Sequence, residues 1–325
     1  MKDILIIRFS SLGDVLLTTP VVRSLKNSYP ETNIDYLVKR EYLDALSHNP
    51  YIRNVFPYQE GKSLKEITGT NYDLIIDLQN NIKSNKFTVG HEKKIRFHKS
   101  NIKKFLLVKI KLNLLEGMPQ IPVRYGLSIS RSRYLPKFQL DDKGLDLFYP
   151  PVETGLDPMK DYIAIAPGAK HFTKRWPIYH FTRLCSMIIE GGYIPVLVGG
   201  NEDVKLCNEI QEAEPRVINK SGENDLFFTA SVINECKAAV TCDSGLMHVA
   251  CAVDTPVVTI FGSSVKEFGF TPYKNNSIVV ENNSLNCRPC SHIGKNHCPL
   301  KHFKCMIDVQ PADVYESLSR LLLEV

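Results

Sequence analysis

Short apolar runs alternate along this chain with longer stretches whose apolar positions recur every three or four residues. In the first half the short runs are Ile4–Arg8, Asn33–Val38, Asn54–Tyr58, Asp73–Leu78 and Lys94–Phe97. Between them lie helical patterns such as Val15–Asn27, and this alternation predicts parallel strands with crossover helices. From Leu135 to Asp161 the periodicity fades and Pro136, Pro150, Pro151 and Pro158 appear, which marks a linker. A second alternation follows. Strands are predicted at Tyr162–Ala166, Tyr193–Gly199, Arg216–Ile218, Ala238–Cys242 and Pro256–Phe261. Helices are predicted at Pro177–Glu190, Glu202–Ala213, Asn224–Cys236 and Leu246–Val253. The expected fold is α/β, with two doubly wound domains, 1–150 and 151–311, facing a central cleft.

Open sheets of this kind bind ligands at the carboxyl ends of their strands, and the loops there carry the polar residues. After Ile4–Arg8 come Ser10, Ser11, Gly13 and Asp14. Pro20 leaves two readings for the helix that follows, either a start at Asp14 with a kink or a start capped by Thr19. The loop after Tyr162–Ala166 gathers Lys170, Lys174, Arg175 and the only tryptophan, Trp176. Cations beside a helix N-terminus suit a diphosphate. Glu202 follows the next strand, where a carboxylate can take a ribose hydroxyl pair. Asp243, Ser244, Gly245 and His248 form D-S-G-x-x-H at a strand-to-helix turn. That motif alone also fits a helix cap and a core histidine. Three loops of one domain equipped for a nucleoside diphosphate favour the phosphate site.

The net charge is +5, and it is uneven. Between Lys83 and Lys111 stand ten Lys and Arg against one acidic residue, Glu92. An acidic partner is expected there, with Lys83, Lys103 and Lys104 as its contacts. Asn101–Leu115 reads equally as a basic amphipathic helix on an anionic membrane surface or as a domain helix with solvated lysines. With no apolar run long enough to span a bilayer and no signal-peptide core, the protein is expected in the cytoplasm. G-x-G-x-x-G, the P-loop pattern and G-x-S-x-G are absent, which disfavours dehydrogenase, P-loop and acyl-hydrolase classes. The positive segment is local and lacks a known nucleic-acid module, so no nucleic-acid partner is expected.

Arg8–Pro20 (RFSSLGDVLLTTP), Pro167–Pro177 with its KRWP, and Asp243–His248 (DSGLMH) together resemble the lipopolysaccharide heptosyltransferases of glycosyltransferase family 9. The resemblance runs in order along nearly the whole chain. The cysteine-rich C-terminal stretch is most similar to the heptosyltransferase II branch. It implies the GT-B fold and inverting transfer of heptose from ADP-L-glycero-β-D-manno-heptose to the inner core, with no metal and no cofactor. The acceptor would be phosphorylated Kdo-lipid A or the inner core, met at the inner face of the inner membrane. Asp14 would be the base. Lys174, Glu202, Asp243, Ser244, Gly245 and His248 would hold the donor. Ser10, Ser11 and Gly13 would shape the acceptor side. The family's C-terminal helix, here within 312–325, would pack back on the first domain. Alternatives are a relative using another nucleotide sugar, a GT-B-fold epimerase, which would need no basic acceptor surface, and a binding module, which would not need Asp14. Cys287, Cys290, Cys298 and Cys305 are spaced C-x2-C-x7-C-x6-C. That spacing fits either a structural zinc or a loop of reduced thiols.

Overall fold

The computed structural model describes residues 2–222 and 225–323. The strands are β1 (Asp3–Ile7), β2 (Asn33–Val38), β3 (Asn54–Pro57), β4 (Leu74–Asp77), β5 (Lys94–Arg96), β6 (Tyr162–Ala166), β7 (Ile194–Leu197), β8 (Ile218–Asn219), β9 (Ala238–Cys242), β10 (Val257–Phe261) and β11 (Ser277–Glu281). The helices are α1 (Leu12–Leu16), α2 (Thr19–Ser28), α3 (Leu64–Thr68), α4 (Ile82–Thr88), α5 (Asn101–Ile110), α6 (Ile121–Ser130), α7 (Ile178–Glu190), α8 (Val204–Ala213), α9 (Leu226–Asn234), α10 (Gly245–Ala252), α11 (Lys304–Ile307) and α12 (Pro311–Leu323). The chain divides into two units, Met1–Ser100 with Pro119–Pro150, and Asn101–Met118 with Pro151–Val325.

In the first unit five parallel strands lie in the order β3-β2-β1-β4-β5. Ile4–Ile7 are fully buried, because helices cover both faces of such a sheet and every position of a central strand must be apolar. Strand order reverses between β1 and β4, so the loops that leave these two strands diverge and open a crevice. The readings around Pro20 resolve into two helices. α1 ends at Leu16, and α2 starts at Thr19 with Pro20 in its first turn, where a missing N–H costs nothing.

The second unit repeats the design. Six parallel strands run β11-β10-β9-β6-β7-β8, and the order reverses between β6 and β9. Trp176 is buried in the core beneath the β6 loop, with its indole N–H donated to the Val309 carbonyl at 3.0 Å and its ring stacked on His180. The loop is thereby nailed down one residue past its cations Lys174 and Arg175.

Several expectations change. The sequence places residues 101–118 in a first domain of 1–150, and they join the second unit instead. Leu107 and Leu115 pack on Phe268, and Lys111 donates to the carbonyls of Cys287 and Pro289. The C-terminal helix, expected to pack back on the first domain, lies in the second unit's own core through Val314, Leu318 and Leu321. Its apolar stripe finds α7 and the β9–β11 sheet close at hand. The linker is no free tether either. Leu135, Phe138, Leu145 and Leu147 are buried, and Asp141 and Asp146 both pair with the buried Arg23 of α2. The strand β11 is absent from the sequence-based expectation, and the strand expected at Arg216–Ile218 shares only Ile218 with β8. Asn224, the predicted start of α9, and residues 324–325 of the C-terminal segment lie outside the described residues.

Candidate functional site

Asp14 sits in α1, at the carboxyl end of β1 and beside the crevice of the first sheet. One carboxylate oxygen accepts the Ser11 N–H at 3.0 Å and the Ser11 hydroxyl at 3.1 Å. The other meets an Arg8 guanidinium nitrogen at 2.5 Å. Arg8 is itself nearly buried, and its other nitrogens donate to the carbonyls of Ser10 and Leu78, each at 3.0 Å. One side chain thus ties the ends of β1 and β4 to the carboxylate. Burial works to raise the Asp14 carboxyl. The Arg8 charge and the Ser11 hydrogen bonds outweigh it and hold the group below the usual carboxylate range. Burial also pulls the Lys99 ammonium down. Arg8 adds to that, while Asp14 and Asp77 oppose it, so Lys99 shares the same field.

Asp77 ends β4 and is fully buried, accepting from the N–H groups of Gln79 and Asn80 and from the Ser84 hydroxyl. Burial pushes its carboxyl up despite these donors. Arg8, Asp77 and Lys99 are not among the predicted site residues. An arginine directly after four buried aliphatics was the available signal for Arg8, since arginine is rarely buried unpaired.

In the second unit the structure brings Lys174 and Asp243 together. The ammonium lies 2.7 Å from the carboxylate, at the ends of β6 and β9 where strand order reverses. The local chain leaves Lys174 little choice of direction. Thr173 donates its N–H to Lys295, the Arg175 side chain folds back to the Ala169 carbonyl at 2.6 Å, and Trp176 points into the core. Asp243 also accepts the Ser264 hydroxyl. It therefore brackets Lys174.

Ser244 caps α10, whose N-terminus carries the positive end of the helix dipole. Its hydroxyl is buried and makes no hydrogen bond among the described residues, and the same holds for Ser263 at the end of β10. Orphaned hydroxyls beside a lysine and a helix N-terminus suit the oxygens of a phosphate. Gly245 opens α10, and His248 is buried one turn in. Glu202 is exposed after β7, free to reach a ligand. Its neighbour Asp203, which is not among the predicted residues, lies so close to Gly168 and Gly199 that a Cβ on either glycine would strike its side chain. Burial, then the charge of Glu202, raises the Asp203 carboxyl.

The proposed acceptor residues are divided. Ser10, Ser11, Gly13 and Lys83 belong to the first unit, with Lys83 exposed on α4. Lys103 and Lys104 lie on α5 of the second, where Lys104 sits over the Phe270 ring. Ile102, Phe105 and Ile110 of that helix are exposed beside them.

Each unit is thus a parallel, doubly wound α/β sheet with polar residues gathered at its switch point. The profile of glycosyltransferase family 9 (heptosyltransferase) matches residues 61–301, and the chain belongs to that family. It is 28% identical to lipooligosaccharide heptosyltransferase 2 of Haemophilus influenzae, over 98% of this chain and 99% of that one. The solved E. coli ADP-heptose lps heptosyltransferase II is 28% identical, with a TM-score of 0.74 over 100% of this chain and 99% of that one. A glycosyltransferase family 9 structure from Veillonella parvula has the same fold, with 22% identity and a TM-score of 0.80 over 100% of this chain and 98% of that one.

Proposed function

We propose that this enzyme moves heptose from ADP-L-glycero-β-D-manno-heptose to the lipopolysaccharide inner core, with inversion and without a metal in the transfer step. The donor is taken by the second unit and the acceptor by the first. The observation that carries the reading is the Lys174–Asp243 pair at the second switch point, beside the N-terminus of α10 and the orphaned Ser244 hydroxyl. As the anomeric C–O bond to ADP breaks, charge grows on the diphosphate, and fixed cations and N–H dipoles stabilise it. Asp14 takes the proton of the attacking acceptor hydroxyl as the new C–O bond forms on the opposite face. Ser10 and Gly13 shape the acceptor side, and Glu202 holds the ribose.

Support for the donor also comes from the relatives, since the E. coli structure is that of an ADP-heptose enzyme. The test is mass spectrometry of lipopolysaccharide from a deletion strain. A core truncated before a heptose, restored by the gene in trans, is expected; an unchanged core would sink the reading. Lys174→Ala is expected to raise the donor KM by about ten- to a hundredfold, the worth of one charge-assisted contact. A change confined to the acceptor KM would reverse the assignment of the two units.

The enzyme works as a peripheral protein on the inner face of the inner membrane. No helix among the described residues is long and apolar enough to cross a membrane. The lysines of α5 and the exposed Ile102, Phe105 and Ile110 suit an anionic surface. Changing Lys103→Glu and Lys104→Glu together is expected to weaken partitioning onto phosphatidylglycerol vesicles by about thirty-fold or more, at about 1 kcal/mol per lysine. Equal binding of both proteins would leave these lysines as solvated surface.

A further inference from the structure

Residues 282–303 form a long connection with no helix or strand. Connections of that length inside a compact unit usually serve a purpose. This one is pinned along its backbone. Arg288 donates to the carbonyls of Gly262 at 2.6 Å and Ser264 at 3.0 Å, and pairs with Glu281 at 2.5 Å. Cys290 gives its N–H to Ser263, and Lys111 holds the carbonyls of Cys287 at 2.9 Å and Pro289 at 2.7 Å. Thr173 and Lys295 bond reciprocally, backbone N–H to carbonyl at 3.0 Å and backbone N–H to hydroxyl at 2.8 Å. The connection therefore touches the loop that presents Lys174.

Cys287, Cys290, Cys298 and Cys305 line one small cavity of this unit, together with His302. None of them is in a disulfide, and the remaining cysteines of the chain are buried elsewhere. Two of the four sulfurs face N–H donors. Phe303 gives its backbone N–H to Cys298 Sγ at 3.4 Å. His302 Nε2 lies 3.8 Å from Cys287 Sγ. The Lys304 N–H is donated to His302 Nδ1 at 3.0 Å, so the imidazole proton sits on Nε2 and points at the sulfur. Donors aimed at sulfur stabilise a metal thiolate more than a neutral thiol, whose sulfur is only a weak acceptor. The C-x2-C turn supplies two ligands from one bend, as in structural sites.

We propose that Cys287, Cys290, Cys298 and Cys305 bind one four-coordinate thiophilic metal ion, zinc first and iron as the other ion this donor set suits, which locks the 282–303 connection against the Lys174 loop. His302 is then a hydrogen-bond donor to Cys287 and not a ligand. Among the described residues the side chains do not converge at ligating distance. Binding therefore requires the four sulfurs to draw together around the cavity they line. Binding releases the thiol protons to solvent and leaves the metal's oxidation state unchanged.

Full-length protein purified without chelator is expected to carry about one zinc or iron per chain by elemental analysis, the stoichiometry of a closed site with four cysteine ligands. Cys287→Ser and Cys298→Ser should each lower that at least two-fold. Where a variant fails to fold, wild-type protein titrated with an organomercurial in the presence of a chromophoric chelator should release the ion in step with thiol modification. Less than about 0.2 metal per chain, with no uptake by reduced protein dialysed against zinc, overturns the proposal. So does full occupancy in both serine variants.

Discussion

Asp14→Asn is expected to lower kcat by about 10²-fold or more, the usual worth of a general base. A sugar hydroxyl is a poor nucleophile until its proton leaves, and the amide cannot accept it. The substitution also tests the other role of this residue. Asp14 returns a carboxylate oxygen to the Ser11 N–H at the start of α1, which is the work of a helix cap. From the N3 position an amide oxygen can still accept the Ser11 N–H, so capping alone predicts near-normal turnover. The ion pair complicates the readout in a definite way. Arg8 and Ser11 use different oxygens of the carboxylate, and an amide has only one oxygen to offer. Some loss of melting temperature is therefore expected, and kcat is to be compared well below both transitions. Donor affinity, measured by ADP binding, should hardly move. A variant retaining more than about a third of wild-type kcat, with chemistry rate-limiting, would remove Asp14 from the mechanism.

Much of the fold was legible because buried parallel strands are written as short continuous apolar runs. Asn33–Val38, Tyr162–Ala166 and Ala238–Cys242 begin and end where their residue types predict. β11 escaped because it is a half-buried edge strand, where the apolar demand is weak. The loops of Lys174 and Asp243 stood out in the sequence by charge and position, and the ion pair between the two residues gives them one geometry. Contacts between distant segments were not legible. Nothing in the periodicity of 101–118 announces that Lys111 will hold carbonyls of the C-x2-C turn. Nor does the α12 stripe say which unit it will cover. The approach of Asp203 to Gly168 and Gly199 was hidden for the same reason, since it depends on how β6 and β7 pair.

Arg8→Met is expected to be the second severe lesion, and through a different signature. The Arg8 side chain is 9% exposed and that of Asp14 21%, so removing the cation strands a largely buried carboxylate. Breaking such a pair costs on the order of 3–5 kcal/mol of stability. Because the folded Asp14 carboxyl lies below its unfolded value, the pair contributes fully above about pH 3.9. That contribution fades as pH falls through the folded value, so the deficit of the variant is largest at neutral pH and shrinks in acid. Activity carries the sharper test. With Arg8 present, Asp14 stays ionised well into acid, and the acid limb of kcat lies below the usual carboxylate range. Without Arg8, burial still raises the carboxyl, and the Lys99 ammonium is the cation left in its field, with the Tyr36 and Tyr125 hydroxyls and the Asp77 carboxyl nearby. The limb should move to higher pH. At about pH 7.5 the stronger base does not compensate for a carboxylate no longer tied to the ends of β1 and β4, and kcat should fall by about 10²-fold. Arg8→Lys keeps the charge and loses the fork that also reaches Ser10 and Leu78. It should leave the acid limb close to its wild-type position while lowering kcat. An acid limb that stays in place in Arg8→Met, in protein shown to be folded, would reduce Arg8 to a structural strut.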